Sequence, residues 1–326
     1  MSTDALTAER LAGALVAHDA DPPRPPLRHP AAVAITGLLI AALLAAAAAT
    51  YGLVTGMAFT SATDTGAILL DRGSGALYVF RESDHRLHPV PNYVSGLLLA
   101  TGAHPRVRIV PAAKLAAVPL GEPLGIPGAP DVLPPASALL TGDWSVCTAG
   151  ARGTVLVGVP PSGGTPLAGG LLARDPAGRT SLIYAGHRYP VSSDRVTAAA
   201  HAPWPVAAAW LAALPAGSGL PAPFPQLVGG PASACVSRSA EFATVRVNAA
   251  FPVGRDGVVV PRGAGAVVAD EHGTVNLVTD AGIRYPLASP DLLSRLGYPG
   301  VRPTTVPDGL LSRIPAGPAL DTAKAG

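Results

Sequence analysis

The sequence predicts an α+β, β-rich protein in which one N-terminal transmembrane helix is followed by ββα-type repeat modules around a disulfide-linked β core. Three observations predict it. Residues 31–59 run without a single charged side chain. The remainder of the chain repeats one hairpin-like pattern in three places. Both cysteines, Cys147 and Cys235, fall beyond the apolar run. The organisation read from these features is a cytoplasmic segment 1–29, a transmembrane helix 30–59, a first repeat module 60–135, and a disulfide-linked core with two further modules in 136–326.

The apolar run AAVAITGLLIAALLAAAAATYGLVTGMAF exceeds the ~20 residues that cross a bilayer as a helix. Pro30 precedes it, where a helix start tolerates proline, and Tyr51 lies near its far end, where an aromatic ring anchors at the headgroups. A cleaved signal peptide and a buried core helix are the alternatives. A signal core of about 7–15 residues is much shorter than this run. Arg24 and Arg28 precede the span and Arg72 is the first basic residue after it, so the N-terminus is read as cytoplasmic and the large domain as extracytoplasmic. Leu6, Ala8, Leu11, Leu15 and Val16 fall at near-helical intervals, which fits a short amphipathic helix on a cytoplasmic partner or on the membrane surface. Asp21-Pro-Pro-Arg-Pro-Pro is a stiff spacer.

Composition excludes several classes. Gly (37) and Pro (36) follow no short period, which excludes collagen and fits a loop-rich body with Pro-marked turns. With a net charge of +2 and no basic stripe interleaved with aromatics, nucleic acid is not read as a partner. Outside the cytoplasm thiols pair, and a count of two cysteines leaves one connectivity. A metal site or a nucleophile is the alternative, but there is no CxxC or HExxH spacing.

The first copy of the repeat reads Gly75-Ala-Leu-Tyr-Val-Phe followed by Arg86-Leu-His88-Pro89-Val90. The second is Ser181-Leu-Ile-Tyr-Ala-Gly-His-Arg188-Tyr189-Pro190-Val191. The third is Val275-Asn-Leu-Val-Thr-Asp-Ala-Gly-Ile-Arg284-Tyr285-Pro286-Leu287. Each is a β-rich run, a turn, and a second run ending in (His/Tyr)-Pro, as in a β-hairpin with proline at its exit. A helix is expected after the hairpin, at Ser95–Gly102 in the first copy. In the third copy Ser289 is read as its N-cap, Pro290 as N1 and Gly297 as its terminal glycine. Each copy closes on a helix-Pro turn at Pro119, Pro215 and Pro315. One such module buries little, so copies are expected to share a core. That core is placed around the cysteines, with Trp144, Thr154–Val159 and Ala243–Val247.

Catalytic motifs are not found. Lys114 and Lys324 are not followed by Ser or Thr, so there is no P-loop. Gly263-Ala-Gly265 lacks the third glycine of a dinucleotide fingerprint and is read as a turn. No Gly-x-Ser-x-Gly elbow occurs. His85 and His88 flank a hairpin, and Asp270-Glu-His272 is read as a turn. Arg86, Arg188 and Arg284 each precede the (His/Tyr)-Pro position. A repeated ligand site is one reading of them, and an ion pair with a neighbouring acid is the other. No cofactor, metal or catalytic residue is assigned.

Trp144-Ser-Val-Cys147, Asn276–Leu287, Leu296-Gly-Tyr298, Ile314-Pro-Ala-Gly-Pro-Ala-Leu320 and Gly121–Asp131 together resemble EccB, the membrane component of the actinobacterial type VII (ESX) secretion system. The resemblance runs from about Arg10 to Ala323. It implies a cytoplasmic N-terminus, one span, and an elongated periplasmic part of repeat modules about a disulfide, which maps onto Cys147 and Cys235. It also implies a scaffold-like role in secretion, with other membrane subunits, further copies of the chain and the lipid bilayer as partners. Members of the family are sometimes labelled ATPases, a label these residues do not support. The family implies four repeats and a longer chain; three repeats are clear here, and the arginine-rich N-terminal helix is reduced to Glu9–Val16. An extracytoplasmic nucleotide hydrolase, or a ligand- or cell-wall-binding module, is the alternative reading.

Overall fold

The computed structural model describes residues 11, 30–54, 61–102, 105–192, 194, 201–238, 243–253 and 257–326. They fall into two units, Met1–Ser61 and Ala62–Gly326. Apart from Leu11, the amphipathic stretch read at Leu6–Val16 lies outside the described residues, as does the end of the expected span after Val54.

Helix α1 (Pro30–Val54) belongs to the first unit and has 25 residues. At 1.5 Å per residue it measures about 37 Å, more than the ~30 Å hydrocarbon core of a bilayer. Its Ala32–Tyr51 portion is long and apolar enough to cross a membrane. Val33, Ile35, Leu38, Leu39, Ile40, Leu43 and Leu44 are all exposed, so no side of the helix is reserved for a protein core. The Thr36 and Thr50 hydroxyls donate to the carbonyls of Ala32 (2.8 Å) and Ala46 (2.7 Å), so their polarity is satisfied within the helix.

The second unit begins with a meander, β1 (Ala67–Asp71), β2 (Leu77–Arg81) and β3 (Arg86–Val90). Helix α2 (Tyr93–Leu99) crosses over, β4 (Arg106–Val110) returns parallel to β1, and α3 (Ala112–Leu115) follows. Next come β5 (Trp144–Ala149), β6 (Arg152–Leu156) and β7 (Ser162–Pro166). A second meander is β8 (Gly170–Arg174), β9 (Thr180–Tyr184) and β10 (His187–Pro190), with β11 (Trp204–Pro205) parallel to β8. Helix α4 (Ala208–Ala212) follows, and β12 (Leu227–Val228) also pairs with β8. Then β13 (Ala234–Arg238), β14 (Ala243–Ala250) and β15 (Val258–Val259) join the sheet of β5–β7. The third meander is β16 (Gly265–Ala269), β17 (Val275–Thr279) and β18 (Arg284–Pro286). It is followed by α5 (Leu292–Arg295), β19 (Thr304–Thr305) parallel to β16, α6 (Asp308–Leu311) and α7 (Thr322–Ala325).

Three sheets share one order, β3-β2-β1-β4, β10-β9-β8-β11 (with β12 also on β8) and β18-β17-β16-β19; the other strands form the six-stranded sheet β15-β6-β5-β13-β14-β7. The hairpin visible in the letters is therefore the second and third strand of a larger sheet. The first strand, and the fourth strand parallel to it, add to that reading. Helix α2 starts at Tyr93, earlier than Ser95, because the Asn92 carboxamide accepts the Ser95 N–H at 2.9 Å. In the third copy the turn begins at Ser289, whose carbonyl accepts the Leu292 N–H, and Asp291 occupies the N-cap of α5. Gly297 ends it at φ +92°, the left-handed conformation expected of a terminal glycine. The equivalent stretch of the second copy lies outside the described residues, Asp194 excepted.

The third sheet carries the core on both faces. Val267, Val275, Leu277 and Tyr285 pack with Ile68, Val79, Val90, Val94 and Leu97 of the first copy. Ala266, Val268 and Val278 pack instead with Trp144, Val146, Leu171, Ile183 and Trp210. All five residues of β17 are buried, the polar Asn276 and Thr279 included. Arg295 stitches the first and last copies: its Nε–H donates to the Leu97 carbonyl at 3.0 Å, and Nη2 to that of Ala100. Buried Tyr298 donates its hydroxyl to the Pro134 carbonyl at 2.7 Å, and desolvation first, then Tyr93, pushes its ionisation upward.

Candidate functional site

Cys147 on β5 and Cys235 on β13 face each other directly across the six-stranded sheet and are joined by a disulfide, with Cα atoms 3.9 Å apart. Both are fully buried, beside Leu156 and Ala249. The next residue of β5, buried Thr148, accepts the Ala207 N–H at 3.1 Å while its hydroxyl donates to the Gly150 carbonyl at 2.6 Å. That contact ties the start of α4 to the disulfide-bearing sheet.

The repeated (His/Tyr)-Pro and Pro-x-Gly sequences are two halves of one contact. The Leu87, Arg188 and Arg284 N–H groups donate to the carbonyls of Pro119, Pro215 and Pro315 at 2.9 Å. In return the Gly121, Gly217 and Gly317 N–H groups donate to Leu87, Arg188 and Arg284. Each closing turn is thereby pinned to the edge of its sheet. The ring of His88, Tyr189 or Tyr285 lies so close to its glycine that a β-carbon there would overlap the ring. None of these glycines has a positive φ, so each is there for space and not for conformation. Replacing Gly317 by alanine should therefore cost about 1–3 kcal/mol by overpacking. In a double-mutant cycle with Tyr285→Ala, denaturant unfolding should show strong coupling; additive losses would mean that the ring and the glycine do not meet in solution.

The arginines differ from the sequence reading. In backbone register Leu87, not Arg86, stands where Arg188 and Arg284 stand, and Arg86 lies one residue away on the opposite face. Among the described residues none of the three makes an ion pair with an acid. Arg86 donates to the Leu120 carbonyl at 3.0 Å, Arg188 to that of Leu214 at 3.0 Å and Arg284 to that of Ile314 at 3.2 Å. Arg284 also reaches the Asn276 side chain. Their donors serve the closing turns. The prolines Pro89, Pro190 and Pro286 sit beside the rings on the same edge strands.

The turn expected at Asp270-Glu-His272 is present, and its repetition at Asp71 and Asp175 was missed. Asp71, Asp175 and Asp270 each turn the first hairpin of their sheets. Asp71 accepts from the N–H groups of Gly73 (3.1 Å) and Ser74 (3.2 Å). Asp175 accepts from Arg179 N–H (2.9 Å), and Asp270 from His272 (3.0 Å) and Thr274 (2.7 Å). The signal was present, an Asp followed within three residues by Gly73, Gly178 or Gly273. The Ser74 hydroxyl, then the Gly73 N–H, holds Asp71 below the usual carboxylate range. Desolvation pushes Asp175 and Asp270 upward, but the hydrogen bonds of Arg179 and Thr274 outweigh it and leave both low. Lowered carboxylates stabilise the fold above their unfolded value of about 3.9 and lose that contribution as pH falls through the folded value. Unfolding free energy should thus drop below about pH 4, and Asp270→Asn should flatten that drop in urea titrations.

Asp270, His272 and Asp308 bring donor atoms within 4.8 Å of one another. Those atoms already serve the turn and its neighbour: Asp308 accepts the Glu271 N–H at 3.0 Å and meets His272 Nδ1 at 3.1 Å. Close by, a cavity of about 140 Å³ is lined by Asp143, Trp144, Arg238, Glu271, Thr304 and Thr305. Typical small-molecule sites measure about 300–1,000 Å³, so this one is small for a nucleotide. Lys114 and Lys324 stand in the last turns of α3 and α7, apart from any glycine-rich loop.

Comparison with known proteins supplies the family. The model of "Type VII secretion system ESX-1, transport TM domain B" matches residues 3–246 and 233–326. The chain is 33% identical over 239 residues to the ESX-3 secretion system ATPase EccB3 of Mycolicibacterium smegmatis, covering 66% of this chain and 44% of that protein. It is 38% identical over 133 residues to the ESX-2 secretion system ATPase EccB2 of Mycobacterium tuberculosis, covering 37% and 26%. The chain thus spans less than half the length of these relatives. A solved EccB3 dimer from the ESX-3 core complex shares its fold at a TM-score of 0.65 and 20% identity, over 79% of this chain and 99% of that one. The periplasmic assembly from the ESX-5 inner membrane complex does so at 0.62 and 22%, over 79% and 92%. With the family model matching both the apolar helix and the disulfide-bearing domain, the chain belongs to the EccB family of type VII secretion systems.

Proposed function

We propose that this chain is a structural subunit of a type VII secretion membrane complex. Helix α1 crosses the membrane with residues 1–29 in the cytoplasm, and residues from about 60 onward stand on the extracytoplasmic, periplasmic side. There the chain scaffolds export together with other membrane subunits and further copies of itself. The parts are a transmembrane segment 30–59, a first repeat module 60–135, and a disulfide-linked core with two further ββα-type modules in 136–326. The motor lies on another subunit.

One observation carries this reading: the repeat residues Arg188, Arg284, Tyr189 and Tyr285 spend their hydrogen bonds and contacts on the closing turns of their own modules. Side chains engaged in that way hold the shape of their modules. The structural neighbours, an intact ESX-5 inner membrane complex and an EccB3 dimer, agree with it. Purification through a C-terminal tag in mild detergent, sized and analysed by mass spectrometry, tests it. Recovery in a large assembly with the other membrane subunits is expected; a lone monomer would defeat the proposal. The word ATPase in the relatives' names favours one second reading, a nucleotide hydrolase. Purified protein that releases phosphate from ATP above a boiled control would establish it.

A further inference from the structure

We propose that His88 is a proton-operated latch, holding the loop 119–129 on the first sheet while its ring carries two protons and releasing it when one is lost. The ring is buried. Its Nδ1 stands 2.8 Å from the Glu122 carbonyl and its Nε2 2.9 Å from a carboxylate oxygen of Asp84. Both partners are acceptors. A neutral imidazole has one N–H and one lone pair, so in this pose one of the two contacts would set lone pair against lone pair. Only the imidazolium donates to both.

The ring contact is one of several ties on the loop. Beyond the ring contact, it is held by Gly121 N–H to Leu87, Leu124 N–H to Pro89, and Ile126 N–H to the Ser95 hydroxyl at 2.8 Å. Asn92, which caps α2, donates to the Ile126 carbonyl at 2.8 Å. The loop therefore ties β3 to the start of α2, and Ile126 and Ala129 enter the core shared by the first and last copies.

The other two copies place tyrosine at this position, Tyr189 and Tyr285, against the corresponding glycines. Tyrosine does not change charge between pH 5 and 8, whereas histidine does. The first copy alone of the three therefore carries a closing contact that loss of a proton can open. Asp84 is held below the usual carboxylate range: desolvation opposes this, but the hydrogen bond and charge of His88 outweigh it. The remaining charged groups on this face are Arg86, two residues along β3 and donating to Leu120, Arg81, its cross-strand partner, and the Glu122 side chain on the loop.

Hydrogen exchange of the full chain in detergent, followed by mass spectrometry from pH 5 to 8 and corrected for intrinsic rates, tests the latch. Protection of residues 119–129 should fall about tenfold as pH rises, the scale of one charge-assisted hydrogen bond. Residues 215–220 and 315–320, closed by tyrosine, should keep theirs. His88→Tyr should keep the loop protected at every pH. In Asp84→Asn, whose amide can donate to a neutral ring, the pH dependence should shrink. Protection of 119–129 in the unmodified chain that does not change with pH overturns the proposal, as does an undiminished pH response in either variant.

Discussion

Replacing Cys147 and Cys235 together by alanine lowers the unfolding free energy by about 4–5 kcal/mol, the chain-entropy value for a loop of this length. The two residues are 88 apart in sequence, and the bond between them removes much of the freedom of the unfolded chain. In the folded state the bond adds little that the sheet lacks. Strands β5 and β13 are already in register from Trp144–Arg238 to Thr148–Ala234. The loss should therefore arise in the unfolded ensemble, leaving the folded sheet unchanged. Urea unfolding of both chains in the same detergent measures it. Because both cysteines are fully buried, a mild reductant should leave the native bond intact and act only as urea exposes it. A loss under about 1 kcal/mol would mean that the unfolded chain is held together by other means, contrary to the loop-closure account.

Trp210→Ala should cost about 3–5 kcal/mol, the range for truncating a large buried ring. Trp210 is fully buried on α4, where it meets Trp204 edge-on at 6.1 Å between centroids. It lies in the core that joins the second and third repeat sheets to the disulfide-bearing sheet. Its indole N–H finds no acceptor among the described residues, an unusual state for a buried donor. Trp210→Phe keeps most of the ring volume and removes that unpaired donor. Its cost should stay below about 1.5 kcal/mol, as for volume-conserving core changes. Thermal or urea unfolding of the two variants separates packing from polarity. If phenylalanine costs as much as alanine, the N–H has a partner in solution and the packing account fails.

The features legible in the letters are those whose cause is local. The apolar run of α1 carries its meaning in composition alone, since a bilayer asks only for length and the absence of charge. The second hairpin strands show because side chains alternate over consecutive residues, and the closing Pro-x-Gly turns show because proline and glycine punctuate a chain wherever they stand. The two cysteines were legible by count, since two leave one pairing.

What stayed hidden depends on partners far along the chain. The parallel fourth strands β4, β11 and β19 are assigned only by what they lie beside, and their short or exposed sequences carry little period of their own. The arginines looked like partners for acids; their true acceptors are main-chain carbonyls about 30 residues on, and a carbonyl leaves no mark on a sequence. The need for glycine at positions 121, 217 and 317 appears only when a ring arrives from another strand. Arg295 finds Leu97 across 198 residues, and the first and last copies share one core. Both faces of β17 are buried, its polar Asn276 and Thr279 included. Which neighbours cover those faces is set by the closure of the whole chain, because apolar contact is non-directional and accepts any surface of the right shape.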